Sequence, residues 1–282
     1  MQLLTTRADA KKYSLEARSK GKKIGFVPTM GALHKGHLSL VEFSAQQNDI
    51  TIVSIFVNPI QFNNSEDLQK YPRNLDKDLE LLQSQHCDVV FAPSVEEMYP
   101  KPPTEIYSFG PLEEVMEGYY RPGHFNGVAT VVRRFFDILH PHRAYFGEKD
   151  YQQMIIIRKM TEQLQLPIEI IGCPIVREID GLAMSSRNLR LSEFERAQAS
   201  FIYQNLVFAR DHAGIIPVED LKNEIIQRFQ KHPAFRLEYF EIADATTLQP
   251  IKDWDEAKSI RAFIAAYLGE VRLIDNMLLK TS

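Results

Sequence analysis

The sequence predicts an α/β protein, with a parallel sheet in its larger N-terminal part and a smaller α+β domain after it. Two observations lead there. Apolar runs of strand length alternate with helix-length periodic segments through the first 175 or so residues, the rhythm of βαβ units. After about residue 176 the rhythm changes to helices followed by three β-like runs. A chain of 282 residues is also long for one hydrophobic core, so a large domain of residues 1–175 and a smaller one of residues 176–282 is the expected division.

Strands are expected at Ile24 to Pro28, Ile50 to Val57, Asp88 to Ala92, Arg143 to Phe146 and Ile168 to Gly172. Helices fill the gaps. Asn74 to Gln85 sets Leu75, Leu79 and Leu82 on one face, and Gly127 to Leu139 repeats Val128, Val131, Val132, Phe135 and Leu139 at helical spacing. Met154 to Met160 is apolar on most sides and reads as buried helix. Between residues 93 and 122 the prolines Pro93, Pro100, Pro102, Pro103, Pro111 and Pro122 break regular structure and predict a loop-rich excursion. Beyond residue 176, Ser192 and Glu195 form a capping-box pattern and a helix is expected from Pro217. The three β-like runs are Leu237 to Ala243, Ile260 to Leu268 and Val271 to Ile274.

A net charge of −4, with 44% hydrophobic and 25% charged residues, is that of an ordinary globular protein. No basic bias points to nucleic acid, so any phosphate binding must be local. Cys87 and Cys173 cannot form a disulfide framework and have no metal-ligand spacing, which fits reduced core residues of a cytoplasmic protein. The N-terminal residues carry no signal-peptide run, and no stretch approaches the roughly 18 apolar residues of a membrane span. His86, His140, His142, His212 and His232 are not spaced as metal ligands, so no protein-bound metal is expected.

Chemistry concentrates where an open α/β sheet holds its ligands, just past the carboxyl ends of strands. Residues 24–38, IGFVPTMGALHKGHL, lead a strand through a Gly-containing turn to a helix start bearing His34 and His37. Such a helix end offers unpaired N–H groups and partial positive charge, and Gly31 and Gly36 let a phosphate approach the backbone. Imidazoles three residues apart fall on one helical face, placed to donate to phosphate oxygens. A turn with two surface histidines is the plainer alternative. In FVNPIQF, residues 56–62, Pro59 forces the chain out of a strand, and Asn58 and Gln61 suit either a neutral polar substrate or simple turn formation. FGEKDYQQ, residues 146–153, presents Lys149 as a point charge for phosphate and Asp150 as a helix cap, or is only a charged surface turn. DGLAMSSRN, residues 180–188, sets Ser185, Ser186 and Arg187 in a flexible polar loop that suits closure over a triphosphate or a plain connector. Neither G-x-S-x-G nor a complete G-x-x-x-x-G-K-[ST] occurs, which excludes the serine-hydrolase and P-loop readings.

Together with YPR at 71–73, RPGHFNGVATVV at 121–132 and RLIDN at 272–276, these segments resemble, in order and spacing along the whole chain, the pantoate–β-alanine ligase (pantothenate synthetase) family of H-x-G-H nucleotidyltransferases. The resemblance implies a Rossmann-like domain that binds ATP and pantoate, a smaller C-terminal α+β domain that closes over the site, and a homodimer. It implies the condensation of (R)-pantoate with β-alanine to pantothenate through a pantoyl adenylate, with AMP and pyrophosphate released. Mg²⁺ is expected on the ATP, and neither nucleic acid nor membrane is an expected partner.

Position by position, the resemblance puts Met30, Gly31, Ala32, Leu33, His34, Lys35, Gly36 and His37 along ATP, with His34 on the phosphates and His37 as proton donor. It puts Gly147, Glu148, Lys149, Asp150, Val176, Met184, Ser185, Ser186 and Arg187 on the nucleotide too, and counts Lys149 with the two histidines as catalytic. Gln61 and Gln153 hold pantoate, Gln61 also β-alanine, and Asn58, Tyr71 and Arg121 match further active-site positions. Two other readings remain beside this one. A different H-x-G-H nucleotidyltransferase, keeping the nucleoside monophosphate in its product, would call for extra basic residues where FVNPIQF offers amides. A nucleotide-binding sensor without turnover is disfavoured by the intact histidines, Lys149 and Arg187.

Overall fold

The computed structural model describes residues 1–63 and 65–281. In chain order its elements are β1 (Gln2–Leu4), α1 (Arg7–Ser19), β2 (Ile24–Thr29), α2 (Lys35–Gln47), β3 (Ile50–Ile55), α3 (Ser65–Gln69), α4 (Leu75–Gln83), β4 (Val89–Phe91), α5 (Val95–Met98), α6 (Met116–Tyr120), α7 (His124–Leu139), β5 (Arg143–Gly147), α8 (Tyr151–Gln163), β6 (Glu169–Cys173), α9 (Glu193–Gln198), α10 (Phe201–His212), α11 (Val218–Gln230), β7 (Phe235–Asp244), β8 (Ser259–Leu268) and β9 (Val271–Thr281). Two compact units result. The first takes Met1–Phe109, Arg121–Glu148 and Gln153–Pro174, and the second takes Gly110–Tyr120, Lys149–Gln152 and Ile175–Ser282.

In the first unit the strands form a parallel sheet in the order β1-β4-β3-β2-β5-β6. The near-continuous apolar strands follow from burial on both faces. Along β2 successive side chains alternate, so Val27 joins Val53, Val90 and Tyr145 against Leu40 and Val41 of α2 and Leu82 of α4. Phe26 instead packs on Phe135 of α7 at 5.3 Å between ring centroids, and Phe91 and Phe56 meet the same ring at 6.0 and 6.2 Å. Strand order reverses around β2, which pairs with β3 on one side and β5 on the other. That is the topological switch point at which such sheets bind ligands.

The five expected strands of this unit are present with ends moved by one or two residues, the usual uncertainty of element boundaries. Among the elements that were not expected are β1 and α1. β1 is a three-residue edge strand beside β4, and α1 buries only Ala10, Ser14 and Ala17, so neither carries a stripe of large apolar residues. The local signal for α1 is its cap, Thr6 Oγ1 accepting Asp9 N–H at 3.1 Å. The Pro-rich excursion holds α5, a 3-10 turn at Gly110–Glu113 and α6 within otherwise irregular chain.

The second unit is an antiparallel sheet, β7-β8-β9. One face buries Ile260, Ala262, Ile264 and Ala266 of β8 and Ile242 of β7 against Ile202 and Leu206 of α10 and Leu221, Ile225 and Phe229 of α11. The expected capping box is formed at α9, where Ser192 and Glu195 satisfy each other's backbone N–H groups. The residues of segments 110–120 and 149–152 meet side chains that alternate to the other face. Arg272 makes a forked pair with Glu117 at 2.6 and 2.9 Å and also holds Glu238, and Tyr239 donates its hydroxyl to Glu117 at 2.9 Å. Gln152 accepts Glu117 N–H at 3.0 Å and donates to the carbonyls of Leu112 and Val115. β9 runs on to Thr281 instead of stopping near Ile274, because its two central polar residues find buried partners. Among the described residues no helix is long and apolar enough to cross a membrane.

Candidate active site

β2 delivers the histidine turn at the switch point. Its last residue, Thr29, donates its hydroxyl to Ser54 O of β3 at 2.6 Å and accepts Gly31 N–H at 3.2 Å. The chain then turns through positive φ at Gly31 (78°) and Ala32 (50°). Asp78, buried in α4, accepts the N–H groups of Ala32 and Leu33 at 2.9 and 2.8 Å and so fixes the shape of the turn. Burial pushes its carboxyl above the usual range, against the pull of those two N–H groups. Glycine is required at position 31: besides its φ, an added Cβ would stand 2.8 Å from Asp78 Oδ2. Asp78 carries no signature in the sequence beyond its place in a helix.

His34 is the N-cap of α2, with extended backbone, and its Nδ1 accepts Gly36 N–H at 3.1 Å. The imidazole is therefore the tautomer with its proton on Nε2, which leaves one ring donor. This corrects the expectation that both imidazoles project from one helical face, since the first ring precedes the helix and satisfies one of its orphan N–H groups. The rings still come together: His37, in the first turn, lies 4.1 Å from His34 between centroids at 36°. Met30, Lys35 and the rest of the turn are half-buried or exposed apart from Gly31 and Leu33.

Gln61 adjoins this turn. It sits in a 3-10 turn at Pro59–Gln61, and its Nε2 lies 3.0 Å from Met30 Sδ. Its Oε1 accepts from Asn58 Nδ2 at 3.0 Å. Asn58 is 1% exposed and also donates to Gly127 O at 3.1 Å, while its Oδ1 accepts Tyr99 OH at 2.8 Å. Its amide is thus committed to protein partners, Gln61 among them, rather than facing solvent. Burial raises the Tyr99 phenol far above its ordinary value, which keeps it a donor. Tyr71 is buried edge-on against Phe62, and Arg121 is half-buried just before α7.

Gly147 ends β5 beside β2; continuing the Gly25–Arg143 register places it level with Thr29. An added Cβ there would meet no described atom within 4 Å, so the backbone is open. Glu148 follows in a 3-10 turn, and Gln153 is half-buried in the first turn of α8.

In the second unit Lys149 is 17% exposed at its side chain, with Nζ 3.6 Å from Asp150 Oδ1. The polar loop of residues 180–188 continues from a hairpin. Met184 N–H bonds Val176 O at 3.0 Å, Arg177 and Ala183 form an antiparallel bridge, and Gly181 turns the chain at φ 90°. Ser185 Oγ then caps the 3-10 turn Ser186–Arg190 by accepting Arg187 N–H at 3.3 Å, with Ser186 buried and Arg187 half-buried. Order here comes from tight local hydrogen bonds that a polar composition does not reveal.

The sequence model of the family described as pantoate-beta-alanine ligase matches residues 2–278. The chain is 50% identical to the pantothenate synthetase of Bacteroides fragilis over 282 residues, covering all of both chains, and 51% identical to that of Bacteroides thetaiotaomicron over 277 residues, covering 98% of each. Its fold matches the crystal structure of pantothenate synthetase from Thermus thermophilus with a TM-score of 0.93 at 43% identity, over 99% of this chain and 100% of the other. It matches the pantoate-beta-alanine ligase of Francisella tularensis, solved with beta-gamma ATP and beta-alanine, with a TM-score of 0.83 at 37% identity, over 100% of this chain and 99% of the other. With the histidine turn at the switch point and an oriented glutamine beside it, the chain belongs to the pantoate–beta-alanine ligase family.

Proposed function

We propose that the chain condenses pantoate with β-alanine at the expense of ATP, through a pantoyl adenylate. The observation that carries this reading is Gln61: its oxygen is held by Asn58 and its nitrogen touches Met30 of the histidine turn. An uncharged amide at the edge of a phosphate-binding turn selects an acceptor with hydroxyl and carboxylate groups and keeps it beside the nucleotide.

A carboxylate does not acylate an amine in water until one oxygen becomes a good leaving group. In this reading a pantoate carboxylate oxygen bonds to the α-phosphorus of ATP, and the bond from that phosphorus to the bridging oxygen breaks, releasing pyrophosphate. The β-alanine amine then attacks the acyl carbon, loses a proton and expels AMP. His34 Nε2–H, His37 and the backbone at the start of α2 stabilise charge on the phosphate oxygens, with Lys149, Ser185, Ser186 and Arg187 needed for the same step. His37 serves as proton donor, Gln61 and Gln153 hold pantoate, and Gln61 also receives β-alanine. Gly147, Glu148, Asp150, Val176 and Met184 complete the nucleotide contacts, and Tyr71 and Arg121 stay with the substrate side.

Mg²⁺ enters as part of the nucleotide, since this hard cation takes phosphate oxygens and keeps several waters. The reading also makes the enzyme a cytoplasmic homodimer; light scattering on the purified protein checks the dimer, and cell fractionation the location. Its direct chemical test uses pantoate labelled with ¹⁸O in the carboxylate. Transfer of one label to AMP is expected, and label retained wholly in pantothenate would refute the adenylate.

A further inference from the structure

The RLIDN segment near the C-terminus has no task in the chemistry above, yet Asp275 and Asn276 are 4% and 2% exposed in the middle of β9. Two adjacent buried polar residues, set between Ile274 and Met277, require partners, and theirs are specific. Successive strand residues face opposite sides of a sheet, so the dipeptide addresses two separate segments.

On one side, Asp275 takes the Arg177 guanidinium in a fork, at 2.6 Å to Oδ2 and 3.0 Å to Oδ1. Arg177 also donates to Asn276 O at 3.3 Å and Gly181 O at 3.0 Å, and lies over the Tyr203 ring at 4.6 Å. It thereby ties the first arm and the turn of the hairpin that leads into Ser185, Ser186 and Arg187 to β9. On the other side, Asn276 Nδ2 donates to the backbone carbonyl of Lys149 at 2.9 Å, while its Oδ1 accepts from Arg261 at 2.5 Å. Arg261 in turn lies over the ring of Tyr151 at 4.1 Å, and that ring packs on Phe263 at 5.9 Å. Residues 149–151 are held from three points.

A buried ion pair of this kind contributes little net stability compared with well-packed apolar residues, so stability alone does not account for placing one here. We propose that Asp275 and Asn276 are positioning residues for adenylation: Asn276 sets the backbone from which Lys149 projects, and Asp275 sets the serine–arginine hairpin through Arg177. The proposal rests on the reading of Lys149 as a phosphate-binding lysine. Misplacement of such a group by about 1 Å costs on the order of a hundredfold in rate.

The test is a double-mutant cycle. Single-turnover formation of pantoyl adenylate is measured for the wild type, Asn276→Ala, Lys149→Ala and the double variant, beside aminolysis of added pantoyl adenylate by β-alanine. Asn276→Ala should slow adenylation on the order of a hundredfold, with aminolysis close to wild type and the loss nearly abolished in the Lys149→Ala background. Should Asn276→Ala fail to fold, Asn276→Asp is read in the same cycle, since it keeps the shape and the acceptor for Arg261 but not the donor to Lys149. Equal losses in both half-reactions, or losses that multiply in the double variant, would overturn the positioning role. Wild-type adenylation with an indifferent Asn276→Ala would sink this proposal alone, whereas a wild type that forms no adenylate would sink the reaction and the proposal together.

Discussion

His34 Nδ1 accepts the backbone N–H of Gly36 at 3.1 Å, so one imidazole of the H-x-G-H turn caps the helix that the other ring belongs to. Structure and chemistry can therefore be separated at this residue. Asparagine is a strong N-cap but has no imidazole. His34→Asn should keep the unfolding free energy near wild type while cutting adenylation about a hundredfold; His34→Ala should lose that rate and about 1 kcal/mol of stability as well. Urea unfolding and adenylate formation, measured on both variants, check it.

Asp78 and Gly31 define a second dependence. Asp78→Asn leaves one of the N–H groups of Ala32 and Leu33 facing an amide NH₂, and an unmet buried donor costs about 1–3 kcal/mol. Gly31→Ala strains the same turn from the other side. Both variants should weaken ATP binding in calorimetry without altering the rate at which β-alanine consumes added pantoyl adenylate. Unchanged ATP affinity in both would show that the shape of this turn does not matter to the nucleotide.

Gln61→Ala should raise the pantoate requirement and leave ATP affinity near wild type. Because Asn58 donates to Gln61 Oε1, Asn58→Ala should add little to the Gln61→Ala defect in pantoate KM. Independent, multiplying effects would mean that Asn58 meets the substrate itself.

The thiols of Cys87 and Cys173 are buried, and burial pushes each up to about 12. Thiolate is the reactive form, so native protein at pH 8 should resist iodoacetamide until it unfolds. The linkage has a definite sign. A raised folded value means that the native state holds the proton longer, so stability falls as pH climbs from about 8.5 towards 12, by at most about 1.4 kcal/mol per unit and thiol. Replacing both cysteines by alanine should flatten that alkaline slope.

The sheet of the first unit was legible because buried parallel strands are written as apolar runs, and Val27, Val53, Val90 and Tyr145 could hardly serve elsewhere. The histidine turn was legible from its glycines and histidines. Its scaffold was not: Asp78 lies more than 40 residues from the turn it shapes. Asp275 and Asn276 read locally as the end of a strand, since Arg177 and the Lys149 carbonyl that make them tolerable come from distant segments. Likewise, nothing near Glu117 announces Arg272, its partner 155 residues away. Local pattern reports elements; pairing between remote polar groups is visible only once the chain has folded.

The central claim is an acyl adenylate formed before the amine arrives, and isotope exchange between pyrophosphate and ATP tests it most directly. With pantoate present and β-alanine absent, exchange should be rapid, should vanish without pantoate, and should fall about a hundredfold in His37→Ala. Exchange that ignores pantoate, or that requires β-alanine, would contradict the account.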